Sequence, residues 1–594
     1  MVKKHGLWYF IKYYQLIFYL LSGICLLIVP KYILPFLPKG NLLLYHICRF
    51  AIPAILFAFW GLSFFISTRR KTYYYLTGRN YKEDVQLYQR SYKELTEFWK
   101  NSNPYKMNED TLPDLSWRDA EGVILGKTKN DKLIHVPSGR DGRNFFIFGL
   151  PGTGKTDCII CLSCLRFGAQ FPYSPTSLLP DNEVSQTKNT TGSVFCIDQK
   201  NDIYKATHRY RKIKRFNLID KINSTDTTIN SSCHYNPFAG IEHMSIDERC
   251  NFIERLGYNL ISSPSDSDSQ YFADTAHDFW NGICLHMLHE NINTSFPDVI
   301  KAILAGNPIG WIETVIKGNS EQGKRRLASK FGENPKNLSG SYAKLCQGAR
   351  LYASETLFYL LDNKPEYEYI SAQTLEDGYD CYISVSPAEI DNYAAVISMI
   401  TQGILQDLLI RDMNPKAGRL KDGTLRPLLI CLDEFSKLRY LDYNAVLAPS
   451  FMLLRAKNVS ILAACQSLSS LTQMLNSSIA AKTLIDCTST FCFLSIQEVE
   501  TREWATKLIG NKKVLCISNS ISEDSKGSSS TGRSVHESSE PIIPEAEWGN
   551  LIDPERGKDE MIVYSKGKYI RTNKIYYHKE RKQIYDEVSN NQSN

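Results

Sequence analysis

The chain has too few cysteines for a disulfide scaffold, with 16 in 594 residues, whereas small disulfide-stabilised domains carry them at much higher density. No His/Cys group has the spacing of a zinc site, and no segment repeats. No sign of charge dominates, since 69 Lys and Arg face 63 Asp and Glu and give a net charge of +6. That excess permits an anionic partner without requiring one. The length predicts several domains. Most cysteines lie inside apolar runs, so we expect them to be reduced core residues on the cytosolic side.

Charged residues are also missing from two N-terminal runs, 13–30 and 50–68. Each is long enough to cross about 30 Å of hydrocarbon at about 1.5 Å per residue. The first run lacks the small-residue cleavage site of a signal peptide, and a second run follows it. Basic residues flank the pair of runs in the sequence. Lys3, Lys4 and Lys12 precede the first run, and Arg69, Arg70 and Lys71 follow the second. This bias predicts a multi-pass membrane anchor over residues 1–70, with both termini in the cytoplasm.

A glycine-rich segment follows the apolar run 145–148 and precedes an apolar helical stretch, 158–167. Its residues are Gly149, Leu150, Pro151, Gly152, Thr153, Gly154, Lys155 and Thr156. A strand, a glycine-rich loop and a helix in this order form a phosphate-binding loop, in which backbone amides and the positive helix end face phosphate oxygens. Lys155 is expected at the β- and γ-phosphates, and the Thr156 hydroxyl at Mg²⁺. The pattern therefore predicts an ATP site with Mg²⁺.

Two further strand-like runs end in carboxylates. Residues 428–432 lead to Asp433 and Glu434, and residues 193–198 end in Asp198 alone. An Asp–Glu pair suits hydrolysis, with Asp433 at the metal and Glu434 free to polarise the attacking water. Asp198 is expected to line the site without contacting the metal, although a solvated strand end is an equal alternative. Gln466, after the strand-like run 459–464, is a candidate γ-phosphate sensor or an ordinary turn residue.

Strand-like runs alternate with helical stretches, and two more strands are expected at 381–385 and 490–496. This alternation predicts an α/β fold with a RecA-like, doubly wound parallel sheet and its ligand edge at the strand carboxyl ends. Apolar residues recur three and four apart between about 242 and 362, which predicts an inserted all-α domain. The expected division is a transmembrane anchor (1–70), a nucleotide-binding domain in two parts (71–241 and 365–580), the helical insertion (242–364) and a polar tail (581–594). Polar composition predicts a surface loop at 170–192, and the Ser-rich, apolar-poor composition of 518–539 predicts a mobile segment.

Three other patterns have competing interpretations. Cys158, Cys161 and Cys164 have a spacing seen in iron–sulfur ligation, but on a helix the same spacing makes a buried stripe, which we expect here. Residues 204–216 mix basic and aromatic side chains, which suits either a nucleic-acid contact or, as we favour, a solvated helix face. The basic, alternating run 566–582 predicts an edge strand.

The order of these landmarks resembles the VirD4/TraG group of type IV secretion coupling proteins, the membrane ATPases of conjugation. The shared elements are the two N-terminal spans and the motifs at 149–156, 194–202, 234–240, 432–438, 463–471, 540–551 and 566–578. Members of the group commonly carry Asp-Pro-Lys-Gly-Glu where this chain has Asp198, Gln199, Lys200, Asn201 and Asp202. The resemblance covers almost the whole chain.

The resemblance implies an inner-membrane ATPase that assembles as a ring, usually a homo-hexamer, with ATP sites at subunit boundaries. Such a protein receives a relaxase–DNA complex and passes DNA, single-stranded in preference, to components of the type IV secretion channel. The helical insertion is the part associated with substrate recognition. The alternatives are a coupling protein for protein effectors, a septal pump for double-stranded DNA, or a membrane docking platform whose ATP site serves assembly. The Asp433–Glu434 pair favours a motor, since a purely structural site does not need a water-activating carboxylate.

Overall fold

The computed structural model describes residues 103, 105–139, 142–170, 173, 190–219, 232–261, 267–523, 529–553, 555 and 557–582, together with Ala54 and Ala58. The predicted membrane runs 13–30 and 50–68 and the tail beyond residue 582 therefore lie outside the described residues, apart from those two alanines. Within the described part of the chain, no helix has the length and apolar character needed to cross a bilayer. The account below concerns the compact unit Tyr105–Asn594.

A large mixed sheet organises this unit. In the described residues its strands follow the order β2-β1-β14-β13-β9-β3-β8-β7-β4-β6-β5, and β12 pairs with β13 beside this path. The strands are β1 Val123–Lys127, β2 Leu133–Val136, β3 Asn144–Phe148, β4 Ser193–Asp198, β5 Ile213–Asn217, β6 Asp380–Ser384, β7 Leu428–Leu432, β8 Val459–Cys465, β9 Thr490–Phe493, β12 Ile552–Asp553, β13 Lys558–Ser565 and β14 Lys568–Asn573.

The run of strands from β9 to β5 is parallel throughout. All of these strands except the edge strand β5 are buried at every position. Successive residues pack into two different cores. Phe146 and Phe148 of β3 lie in one core, while Phe145 and Ile147 lie in the other. Burial on both faces is typical of a parallel sheet covered by helices on each side.

The other side of the sheet is antiparallel, so the expectation of a wholly parallel sheet was wrong there. β13 pairs antiparallel with β9 and with β14, and β1 pairs antiparallel with β14 and β2. β14 is consequently an internal strand between β13 and β1, not the edge strand that its alternating charges predicted. The run 204–216 also differs from one helix face, because a helix ends at Thr207 and β5 begins at Ile213.

Helices cover the sheet and fill the stretch between β5 and β6. They are α1 Cys161–Arg166, α2 Asp202–Thr207, α3 Ile246–Gly257, α4 Ser267–Glu290, α5 Phe296–Ala305, α6 Pro308–Lys317, α7 Glu321–Leu327, α8 Pro335–Arg350, α9 Glu355–Leu360, α10 Ala372–Glu376, α11 Ile390–Leu409, α12 Ala448–Leu453, α13 Leu468–Leu475, α14 Ser478–Asp486, α15 Val499–Ile509 and α16 Glu545–Trp548.

The helix α3 and the helices from α5 to α9 each begin after a residue whose side chain caps the first turn. Ser245 and Glu248 form a capping box at the start of α3, and Ser295 and Asp298 form another at α5. Such caps satisfy the amides that the first helical turn leaves without partners. Trp280 of α4 is fully buried and donates its indole N–H to the carbonyl of Ile253 in α3 at 2.8 Å.

The described residues of the Ser-rich segment 518–539, which was expected to be mobile, lie within two paired strands. β10 Asn511–Glu523 and β11 Ser529–Pro541 pair antiparallel over their full length as a separate two-stranded sheet. The composition did not predict this pairing, because the segment lacks the regular alternation of apolar residues that marks a strand.

Candidate nucleotide site

The glycine-rich loop is at the carboxyl end of β3, as predicted. Its amide groups at Gly149 and Leu150 donate to the carbonyls of Cys465 and Ser495, which anchors the loop to the ends of two neighbouring strands. Gly152 and Gly154 have φ angles of 78° and 93°, a region that side-chain-bearing residues rarely adopt. The loop conformation therefore depends on glycine at both positions. Of the other predicted loop residues, Pro151 is exposed, and the buried Thr153 donates its hydroxyl to the Leu150 carbonyl at 2.7 Å.

Lys155 lies inside the loop. Its ammonium donates to the carbonyls of Gly149 and Leu150 at 2.7 and 3.2 Å, and the residue is only 6% exposed. Burial lowers the pKa of this lysine, while the nearby carboxylates of Glu434 and Asp433 oppose the shift. The ammonium is thus held against the backbone of the loop, whose amides are the groups that face phosphate oxygens in loops of this kind.

Thr156 and Asp433 meet across the site, although they are far apart in the sequence. The Thr156 hydroxyl donates to Asp433 Oδ2 at 2.9 Å. Burial, reinforced by the neighbouring Glu434, raises the pKa of the Asp433 carboxyl to about 6, and the Thr156 hydrogen bond limits that rise. A hydroxyl and a carboxylate are hard oxygen donors of the kind that Mg²⁺ prefers. The two residues predicted to hold the metal are therefore in direct contact.

Glu434 follows at once and has an unusual backbone. Its φ of 53° and ψ of 50° are left-handed helical values, which cost a residue with a side chain about 1–2 kcal/mol. Its carboxylate accepts from Gln466 Nε2 at 2.7 Å, and Gln466 lies just beyond the end of β8. Strained backbone at the mouth of a site is a common feature of functional residues. The structure thus joins the predicted water-activating carboxylate to the predicted sensor amide.

Asp198 ends β4, next to β7, and differs from Asp433 in its hydrogen bonds. Its oxygens accept from the backbone amides of Tyr204 at 2.7 Å and Lys200 at 3.4 Å. Burial raises its pKa to about 6. In the segment that departs from Asp-Pro-Lys-Gly-Glu, Asn201 takes the left-handed conformation (φ 63°) at the position where the motif has glycine. Asparagine tolerates that region better than most residues.

Two contacts at the site were missed by reasoning from the sequence. Gln199 donates its amide to the Asp433 carbonyl at 3.1 Å, from the position where the motif usually carries proline. The C-terminal residues Tyr576 and His578 lie against Gly154 and Asp157 of the loop and its helix. The charges of the motif at 566–578 were interpreted as protection of an edge strand, and no local pattern in that motif points to the phosphate loop.

The cysteine stripe is buried, as expected. Cys158, Cys161 and Cys164 are at most 1% exposed. In the described part of the chain, the Cys164 sulfur lies within 4.8 Å of those of Cys196 and Cys431, on adjacent strands β4 and β7. Burial raises the pKa of the Cys196 and Cys431 thiols well above the usual value, which favours neutral core thiols.

Comparison with known proteins identifies the family. Residues 187–594 match the family described as type IV secretory system conjugative DNA transfer. The chain belongs to this family. No curated protein sequence matches the chain.

Solved structures of one bacterial conjugative coupling protein share the fold. The plasmid coupling protein TrwB in complex with the ATP analogue ADPNP is 14% identical, with a TM-score of 0.54 over 79% of this chain and 91% of that one. TrwB with ADP and Mg²⁺ is 15% identical, with a TM-score of 0.51 over 77% and 90%. The unbound monoclinic form of TrwBdeltaN70 is 13% identical, with a TM-score of 0.51 over 78% of this chain and 90% of that one. The mixed sheet with its phosphate loop is thus the fold of that coupling protein.

Proposed function

We propose that this member of the conjugative DNA transfer family is a coupling ATPase that hydrolyses ATP with Mg²⁺. The observation that carries the proposal is the contact between Thr156 and Asp433 at 2.9 Å, beside the Glu434–Gln466 pair at 2.7 Å. These four side chains come from the ends of the loop strand and two other neighbouring strands, where ligands of open α/β sheets bind. The complexes of TrwB with ADPNP and with ADP and Mg²⁺ support the choice of nucleotide and metal.

Each residue then has a separate task. Lys155 and the loop amides hold the phosphates, and Thr156 and Asp433 hold Mg²⁺, which when bound offsets the charge that develops on the phosphate oxygens. Glu434 accepts a hydrogen bond from the attacking water and aligns it with the terminal phosphate. Gln466, already bonded to Glu434, moves when that phosphate leaves. Asp198 holds the turn at the end of β4 beside them.

We further propose that ATP turnover drives DNA, single-stranded in preference, into a type IV secretion channel. The protein would receive a relaxase–DNA complex. The helical domain 242–364, inserted between the two parts of the nucleotide-binding domain, would be the part that recognises this substrate. It would assemble as a homo-hexamer in the inner membrane on the spans 13–30 and 50–68, with both termini cytoplasmic. The family description supports the DNA cargo, and the charge-free runs support the anchor.

Replacement of Glu434 by Gln tests the motor. The amide keeps the size of the side chain but cannot accept a proton, so hydrolysis should fall by roughly 10²–10⁴-fold while ATP binding remains. Hydrolysis is measured on the purified full chain, and DNA transfer in mating assays. Glu503→Gln is the matched control, because Glu503 lies on α15 and pairs with Lys507. If Glu434→Gln loses hydrolysis but keeps DNA transfer, the protein is a docking platform.

A further inference from the structure

The C-terminal segment 574–580 reaches the phosphate loop because of the sheet topology. β9 is parallel to β3, β13 is antiparallel to β9, and β14 is antiparallel to β13. β14 therefore runs in the same direction as β3, and the two strands end at the same edge of the sheet. The chain that leaves β14 at Asn573 emerges at the edge where Gly149 begins the loop.

Tyr576 makes the first contact, with the last glycine of the loop. A methyl group added at Gly154 would lie 3.1 Å from Tyr576 Cε1, 3.6 Å from its hydroxyl and 2.8 Å from Cys158 Sγ. The aromatic ring thus packs directly on the loop backbone. Lys579 Nζ lies over the ring, 4.2 Å from its centroid. One face of the ring is consequently occupied by this chain's own cation.

A hydrogen bond to Asp559 fixes the position of the Tyr576 ring. Its hydroxyl donates to Asp559 Oδ1 at 3.1 Å, and the same oxygen accepts from Lys574 Nζ at 2.8 Å. The Lys574 side chain is fully buried, so its ammonium and the Asp559 carboxylate form a rigid support. Asp559 belongs to β13, which ties the contact to the sheet.

His578 makes the second contact, one residue beyond Thr156. Asp157 Oδ1 accepts from His578 Nδ1 at 2.5 Å and from the His578 backbone amide at 3.3 Å. Tyr576 and His578 therefore touch Gly154 and Asp157, the residues on either side of Lys155 and Thr156. The neighbouring Tyr577 is buried in the same core as Cys158 and Ile159.

We propose that residues 574–580 form part of the nucleotide site, with Tyr576 and His578 as positioning residues that hold the phosphate loop in its binding geometry. The ligand class is the polyphosphate chain of the nucleotide, because the contacts are to the loop that surrounds it. The inference rests on the proposed nucleotide binding. A displacement of about 1 Å in such a loop can cost about a hundredfold in rate, so side chains that position the loop can affect the site strongly.

The test compares two ligands, ATP and inorganic tripolyphosphate, each titrated with Mg²⁺ on the purified full chain by calorimetry. Tyr576→Ala should weaken both by about tenfold, or about 1.4 kcal/mol. Tyr576→Phe should weaken both less, since the ring contact is kept and only the hydroxyl's bonds to Asp559 and Cys158 are lost. His578→Ala should weaken both by a smaller factor. His243→Ala, at an exposed histidine beside Glu242, is the matched control.

The comparison separates the alternatives. Loss of ATP affinity with unchanged tripolyphosphate affinity would overturn the proposal and make the segment a platform for the nucleoside. Unchanged affinity for both ligands in all three variants would also overturn the proposal, since the segment would then only pack against the loop without affecting binding. Thermal unfolding shows whether each variant folds. If Tyr576→Ala does not fold, the affinities of Tyr576→Phe and His578→Ala decide whether the segment positions the loop. A wild-type chain that binds both ligands but does not hydrolyse ATP would contradict the ATPase and still decide this question.

Discussion

Two neighbouring strand ends in this molecule look alike in sequence and differ in what their aspartates contact. β4 ends in Asp198 and β7 leads to Asp433, and burial raises the pKa of both carboxyls to about 6. Asp198 accepts hydrogen bonds from the backbone of its own loop, whereas Asp433 accepts the hydroxyl of Thr156 from the phosphate loop. The source of the hydrogen-bond donor, more than the carboxylate itself, separates a residue that shapes a turn from one that serves the site.

The largest expected difference between these strand ends is in activity. Asp433→Asn should lower ATP hydrolysis by about 10²–10³-fold, because a neutral amide is a poor ligand for Mg²⁺. Asp198→Asn should stay within about threefold, since the amide oxygen still accepts from Tyr204 and the site loses no metal ligand. Steady-state hydrolysis at saturating Mg²⁺ measures both. Equal losses in the two variants would show that Asp198 also serves the nucleotide.

A smaller difference is expected in the dependence on pH. Because the folded pKa of Asp433 is raised to about 6, the carboxyl is protonated below that pH and cannot bind Mg²⁺. The apparent Mg²⁺ affinity of the ADP-bound protein should therefore fall by about tenfold per pH unit below pH 6 and level off above it. Mg²⁺ titrations between pH 5 and 8 follow this change.

The variants again separate the two aspartates. Asp198→Asn should keep this pH profile, although Asp198 titrates in the same window. Asp433→Asn should bind Mg²⁺ weakly and lose the dependence. A flat wild-type profile down to pH 5 would contradict the raised pKa at Asp433.

The sequence predicted the parallel strands and most of the site because those signals are local. Apolar runs, the glycine spacing and the carboxylates directly after Leu432 are readable one segment at a time. The antiparallel half was missed because β14 owes its internal place to pairing with β13 and β1, which its alternating charges do not encode. The contacts of Tyr576 and His578 depend on that pairing, so they were beyond reach for the same reason.

The backbones after the two aspartates offer the finest comparison. Glu434 and Asn201 are both left-handed, with φ of 53° and 63°, but asparagine accepts this region readily and glutamate does not. Glycine at either position should be more stable than alanine by about 1 kcal/mol, because alanine keeps the strained Cβ. Thermal unfolding of the four variants measures this difference.

ATP hydrolysis should distinguish positions 434 and 201, although the glycine variants at both should be stable. Asn201→Gly should retain both stability and hydrolysis, since it restores the residue that the family motif commonly carries. Glu434→Gly should be at least as stable as the wild type and yet lose hydrolysis, because glycine relieves the backbone strain but removes the carboxylate that contacts Gln466. If Glu434→Gly and Glu434→Ala unfold at the same temperature, the backbone at this position carries no strain. The unusual conformation would then have no energetic link to the chemistry.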